Sequence, residues 1–274
     1  MSYTASDVKR LRELTAAGMM DCKNALDESG GDFDKAVELI RVKGQKGVTK
    51  REGRTTSNGL VSASVAGDTG VILELNCETD FVAKGERFQE LGNEILAKLS
   101  TSSTTELDAF LASDFGGGKT VQAHIDEANA TLGEKIVLRR IGVLKNGPVS
   151  VYLHRTSPDL PAQVGVLVQL TKEHAIGKDV AQHIAAFAPS YVKREDVPAD
   201  LIESERRIAE ETARNEGKPE ASLAKVVEGR VTGFIKEVSL IEQAFAKDSK
   251  KSVAQVLEEA GTNVSAFFRF RVGQ

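Results

Sequence analysis

The chain has 274 residues, 41% of them hydrophobic and 28% charged, enough to bury a sizeable core in two or three compact units. A formal net charge of −4 argues against a general nucleic-acid binder, which needs a surplus of Lys and Arg to neutralise phosphates. No apolar run approaches the ~20 residues of a membrane span, and the polar start Met1–Asp7 has no apolar signal region, so the expectation is a cytoplasmic protein. Cys22 and Cys77 are the two cysteines, far apart and in no metal spacing, which reads as two free thiols in a reducing compartment.

The first forty residues read as three short helices. Thr4 followed by Asp7 suggests a capping box ahead of Val8, Leu11 and Leu14 on one helical face. Ala16-Ala17-Gly18 interrupts this pattern; Met20, Cys22 and Leu26 resume it, and Gly30-Gly31 separates them from Phe33, Ala36, Val37 and Ile40. Such a bundle is of the kind found in ubiquitin-associated domains. From Arg41 to Arg54 basic residues accumulate among Gly44, Gly47 and Gly53, which reads as a mobile, solvated linker. An RNA-contact role is the lesser alternative, since no aromatic residues interleave the charges.

The middle of the chain carries an internal repeat. Leu60–Val65, a turn at Gly67–Gly70 and Val71–Leu75 read as strand, turn and strand, followed by one helix from Phe81 to Leu99. Val149–His154, a Pro-containing loop and Gly165–Leu170 repeat the strands, and Val180–Ala188 repeats the helix. Between these halves lie a turn at Ser100–Thr105, a helix through Val121, Ile125, Ala128 and Leu132, and a strand from Lys135 to Leu144. Residues 197–236 are charged helix formers broken by Asn215-Glu216-Gly217-Lys218-Pro219, an antiparallel helical hairpin. A helix over Ser252–Ala260 and a strand over Val264–Val272, with Phe268 and Phe270 on one face, complete the chain. The fold class is therefore α+β: a helical unit with its linker at 1–54, core halves at 55–145 and 146–274, and the hairpin 197–236 inserted in the second.

Chemistry-bearing patterns are sparse. Gly116-Gly117-Gly118-Lys119-Thr120 lacks the earlier Gly of a phosphate loop, Ser113 standing there, and Leu107–Leu111 before it looks helical rather than extended. His124, His154, His174 and His183 share no metal-ligand spacing. No nucleophile elbow, dinucleotide fingerprint or Ser-x-x-Lys motif occurs, so no cofactor is expected and a binding protein is favoured over an enzyme. Thr79 and Asp80 are residue types that cap a helix start, which places Phe81 off the buried stripe of Phe88, Leu91, Ile95 and Leu99. There the ring either staples the first turn to its own domain or probes a partner; the pattern leaves both open.

Asn76-Cys77-Glu78-Thr79-Asp80-Phe81-Val82-Ala83-Lys84 closely resembles the most characteristic segment of the bacterial elongation factor Ts family, guanine-nucleotide exchange factors for elongation factor Tu. Leu11–Leu26 independently resembles that family's N-terminal signature, departing at Ala16 where Gly is usual, and the likeness runs from about Thr4 to Gly273. The resemblance implies elongation factor Tu, GDP-bound or nucleotide-free, as partner, with no membrane, no direct nucleic-acid contact and no covalent chemistry. It implies that Thr79, Asp80, Phe81 and Val82 disturb the partner's magnesium site, with Phe81 as the wedge. Met19, Met20, Lys23, Leu132, Gly133 and His154 match further contact positions. Lys247, where relatives can carry an apolar residue, puts one contact in doubt, and a helix that some relatives add after an ending like Phe270–Gly273 is not present. The hairpin is a candidate for self-association.

Overall fold

The computed structural model describes residues 3–15 and 17–274, with the backbone alone for residues 13, 41 and 44–50; the expected departure at Ala16 lies outside them. The N-terminal bundle comprises α1 (Ala5–Thr15), α2 (Met19–Glu28) and α3 (Phe33–Arg51). Its first turn is closed by the expected capping box: the Thr4 amide donates to Asp7 Oδ2 at 2.7 Å and the Asp7 amide to Thr4 Oγ1 at 3.3 Å. Val8, Leu11, Cys22, Ala25, Leu26, Ala36 and Ile40 form its core.

Leu14 and Met20 depart from the expected stripe, being 64% and 63% exposed. After Val8 and Leu11 the inward place on α1 falls to Thr15, whose hydroxyl donates to Leu11 O at 2.7 Å, and on α2 it falls to Cys22, Ala25 and Leu26. A bundle of short helices covers only a narrow stripe of each. The expected linker also differs, because α3 continues through it to Arg51. Lys, Arg, Gln and Val sustain helix well enough to carry two glycines when the helix has something to pack on, and α3 packs along α7 (Val121–Leu132).

The core is two units with the same element order. In the first, β1 (Asn58–Ala66) and β2 (Thr69–Cys77) form a hairpin, α4 (Asp80–Lys84), α5 (Glu86–Ser100) and α6 (Leu107–Ala112) follow, and β3 (Asp114–Gly116) with β4 (Lys119–Thr120) leads into α7 and β5 (Val137–Leu144). In the second, β6 (Val149–His154) and β7 (Val164–Leu170) are followed by α8 (Ile176–Phe187), the inserted helices α9 (Ala199–Asn215) and α10 (Glu220–Val238), the β8 (Ala244–Phe245) and β9 (Asp248–Ser252) hairpin, α11 (Val253–Glu259) and β10 (Val264–Arg271). The sheets run β1-β2-β5 and β10-β7-β6, all antiparallel, so each unit places its second strand at the centre between its first and last.

Burial of both faces explains why the central strands β2 and β7 are mostly apolar, with successive side chains turned to opposite layers. Val71, Leu73 and Leu75 meet Phe88, Leu91, Ile95, Leu99 and Ile125 of the covering helices, while Ile72 faces the other sheet. Val166, Val168 and Leu170 likewise meet α8 and α11, and Leu167 joins Ile72, Val61, Leu144 and Phe270 between the sheets. The two sheets thus lie face to face, with glycines at the closest approach: a Cβ on Gly165 would stand 2.4 Å from Val61 Cγ1. Phe268 and Phe270 point into this layer as expected. A fully buried carboxylate crosses it: Glu74 accepts from Arg140 Nε at 2.6 Å and from the Gly273 amide at 3.0 Å.

The helical hairpin is held by Ala209, Val227, Val231 and Ile235, and Gly217 makes its turn with a left-handed φ of 72°. Gly116, Gly117 and Gly118 form the β3–β4 turn behind helix α6, a hairpin geometry rather than a phosphate cradle.

Candidate functional site

The site is the corner where the central strand β2 leaves the first sheet. Thr79, in extended conformation, caps α4: the Val82 amide donates to Thr79 Oγ1 at 3.3 Å and the Ala83 amide to Thr79 O at 3.2 Å. The expected single helix from Phe81 to Leu99 is two helices. Gly85, at φ −67° and ψ 137°, ends α4 and starts α5, its amide donating to Val82 O at 2.9 Å. Extended backbone at one residue breaks the helical hydrogen-bond ladder and leaves α4 only five residues long.

That short helix has two faces. Val82 and Ala83 are buried among Phe88 and Leu60, whereas Phe81 is 83% exposed and staples nothing. Of the four corner residues named from sequence, Val82 alone is turned inward and anchors the others. Asp80 receives Lys84 Nζ at 2.9 Å across one helical turn; this bond and the ammonium charge hold its carboxyl below the usual range and raise Lys84. The corner therefore shows an ionised carboxylate beside a bare aromatic ring.

Behind this face the loop is tied down on several sides. Glu134, just past the end of α7, accepts from the Glu78 amide at 3.1 Å and the Thr79 amide at 3.0 Å with Oε2, and from the Thr79 hydroxyl at 2.5 Å with Oε1. Glu78 returns the arrangement, accepting from the Lys135 amide at 2.6 Å and from Arg54 Nη1 at 3.2 Å. Asn58 Nδ2 donates to Glu78 O at 2.8 Å, and the Cys77 thiol to Thr79 O at 3.2 Å. Burial, reinforced by the neighbouring Glu134 carboxylate, pushes the Cys77 thiol up to about 12. It is therefore a protonated donor at neutral pH.

The same ties bring Leu132 and Gly133 beside the corner. Gly133 is the left-handed cap of α7 at φ 74°, and Leu132 is half-buried against the first core. Met19, Met20 and Lys23 are elsewhere, at the start of α2 on the N-terminal bundle, where Met19 and Met20 are exposed, as is Leu14 near the end of α1. His154 ends the edge strand β6, exposed, its Nδ1 3.1 Å from the Tyr152 hydroxyl. Sequence reading thus named residues of the corner, of the bundle and of the strand end, but not Glu134, and it did not expect Leu14 to be exposed. Leu14 was legible as apolar but assigned inward. For Glu134, the one local sign is a carboxylate directly after a helix-ending glycine. Among the described residues no group of three or more His, Cys, Asp or Glu is placed to hold a metal ion, and no helix is long and apolar enough to cross a membrane.

A family model described as Elongation factor TS matches residues 78–274. Over 275 residues the chain is 60% identical to elongation factor Ts of Streptomyces griseus subsp. griseus, covering 99% of each protein. It is 60% identical to that of Acidothermus cellulolyticus over 274 residues, 100% of this chain and 99% of the relative. Against that of Thermobifida fusca the identity is 55% over 275 residues, with 100% and 99% covered.

Proposed function

The chain belongs to the elongation factor Ts family of translation elongation factors, and from that premise we propose that it binds elongation factor Tu carrying GDP in the cytoplasm and speeds release of the nucleotide. The observation that carries this reading is the Phe81 ring, bare on a corner whose backbone is tied from behind. A large apolar group held outside its own core gains by burial in another protein. Pressed near the partner's magnesium site, the ring and the Asp80 carboxylate displace the support of an ion whose octahedral geometry tolerates little distortion. The nucleotide phosphates then lose a counter-charge, and GDP leaves. No covalent step is required of this chain.

Magnitude shows that the wedge does not act alone. A ~10⁴-fold faster release corresponds to about 5.5 kcal/mol, whereas burying one Phe supplies about 1.5–3 kcal/mol. The remainder comes from an extended interface: Leu132 and Gly133 beside the corner, the Met19, Met20 and Lys23 face of the bundle, and His154 on the second sheet. Binding energy gathered over these surfaces is expressed as preference for the nucleotide-poor conformation.

The direct test is release of a fluorescent GDP analogue from elongation factor Tu with and without this chain. A rate that rises with its concentration to a plateau supports the reading. Tight binding with an unchanged release rate would instead make the chain an adaptor.

A further inference from the structure

We infer that Glu134 is a positioning residue for nucleotide exchange: through Thr79 it holds the Asp80–Phe81 corner in the orientation from which Phe81 meets the partner. The inference rests on the exchange reading above. Helix α4 has five residues, too few to sustain itself, since fixing a first turn costs more than its hydrogen bonds return. Its order must come from outside.

The contacts of Glu134 supply that order. Thr79 Oγ1 accepts the Val82 amide while its proton goes to Glu134 Oε1. A hydroxyl can serve both only in one rotation, so the carboxylate directs the hydroxyl's lone pairs at α4. The two amides just ahead of the helix are held by the other carboxylate oxygen, a charge-assisted arrangement stronger than neutral pairs. Glu78 makes the reverse contact with the Lys135 amide. Two segments about 55 residues apart thus exchange carboxylates, and the clasp sits where the β2–β5 ladder ends at Asn76 opposite Val137. The sheet is already secured by that ladder and by the core beneath it. What the clasp adds is a fixed direction for the loop that carries Phe81, and a fixed relation of that loop to Leu132 and Gly133.

The test compares Glu134→Ala with Glu134→Gln. Glutamine keeps an oxygen for the two amides, but its NH₂ cannot accept the Thr79 proton, so it should restore only the part of the alanine loss that those amides carry. In the GDP-release series, Glu134→Ala should lower the plateau about 10-fold while moving the half-saturating concentration less than about 3-fold, and Glu134→Gln should stay within about 3-fold of the parent plateau. In the isolated chain, hydrogen exchange at the Thr79 amide should accelerate about 10-fold or more in the alanine variant. Should that variant fail to fold, Glu134→Asp, one methylene too short to reach both segments, should show the same pattern more weakly. A parent chain that does not accelerate release defeats the exchange reading, while the amide measurement still judges the clasp. A normal plateau in Glu134→Ala, a loss confined to affinity, or a Gln variant no better than Ala would each overturn the assignment.

Discussion

Phe81 and Met20 are both large, apolar and exposed, yet their placement assigns them different work. Phe81 stands on the tied corner, and removal of its ring takes nothing from the core. Phe81→Ala should therefore leave Tm within about 2 °C of the parent, lower the plateau of GDP release about 10-fold and shift the midpoint less. Met20 lies on the N-terminal bundle, where we propose a partner contact that stabilises ground-state and strained complexes alike, so Met20→Ala should raise the midpoint about 3- to 10-fold and spare the plateau. A rate-against-concentration series separates them; a plateau untouched by Phe81→Ala refutes the wedge. At this scale much was legible in sequence. Thr79 is a capping type directly after an apolar strand, and Phe81 breaks the spacing of the buried stripe. Glu134 was not legible, because a carboxylate binding backbone amides 55 residues away has neither periodicity nor a local motif.

Among the elements, α8 and the β8–β9 hairpin are joined through one imidazole. His183 is fully buried, 2.7 Å from Gln243 Oε1 through Nε2, accepts the Ala246 amide at 3.1 Å through Nδ1, and stacks on Phe187. Accepting at Nδ1 requires the neutral ring, and burial lowers the pKa from its ordinary value of 6.5. The unfolded ring takes up a proton that the folded ring resists. This contribution is therefore whole above pH 6.5 and is lost as pH falls from there toward the folded value. The expected outcome is a ring-nitrogen NMR titration of His183 with its midpoint below 6.5; a midpoint at or above 6.5 would refute the assignment. Element types were readable where periodicity was long: the paired strands, α5, and the hairpin around its Gly-Lys-Pro turn. Two boundaries were not. Gly85 splits a stripe that reads as continuous because Val82 and Phe88 are both inward, and α3 runs through a basic, glycine-bearing stretch because it lies against α7, a partner that local composition does not reveal.

At the scale of the molecule, we propose that the chain divides near residues 54 and 145, with the N-terminal unit as a second grip on the partner. Bundle and core meet where α3 lies along α7, and specific bonds fix the junction: Arg51 Nη1 donates to Asn129 O at 3.1 Å, and Lys135 Nζ reaches the carbonyls of Glu52 and Arg54. Deleting residues 1–54 should leave a cooperatively melting core whose Tm falls by about 3–6 °C as α7 loses its cover, with affinity for elongation factor Tu down about 10-fold or more. Calorimetry and a binding titration of the truncated chain check both, and undiminished affinity would remove the bundle from the interface.

The buried Glu74 carboxylate ties that architecture to the order of synthesis. Its strand is made well before the amide of Gly273 that satisfies one of its oxygens, and Arg140, its other partner, is itself covered by the Phe270 ring at 4.5 Å and donates to Arg271 O at 3.2 Å. A charge taken out of water is costly until its partners arrive. Until β10 and Gly273 are in place the first sheet must therefore keep this face wet, and the seam between the two halves dries only once they dock. Residues 270–273 thus act as a latch: while they are undocked the chain has an open seam and a marked apolar face.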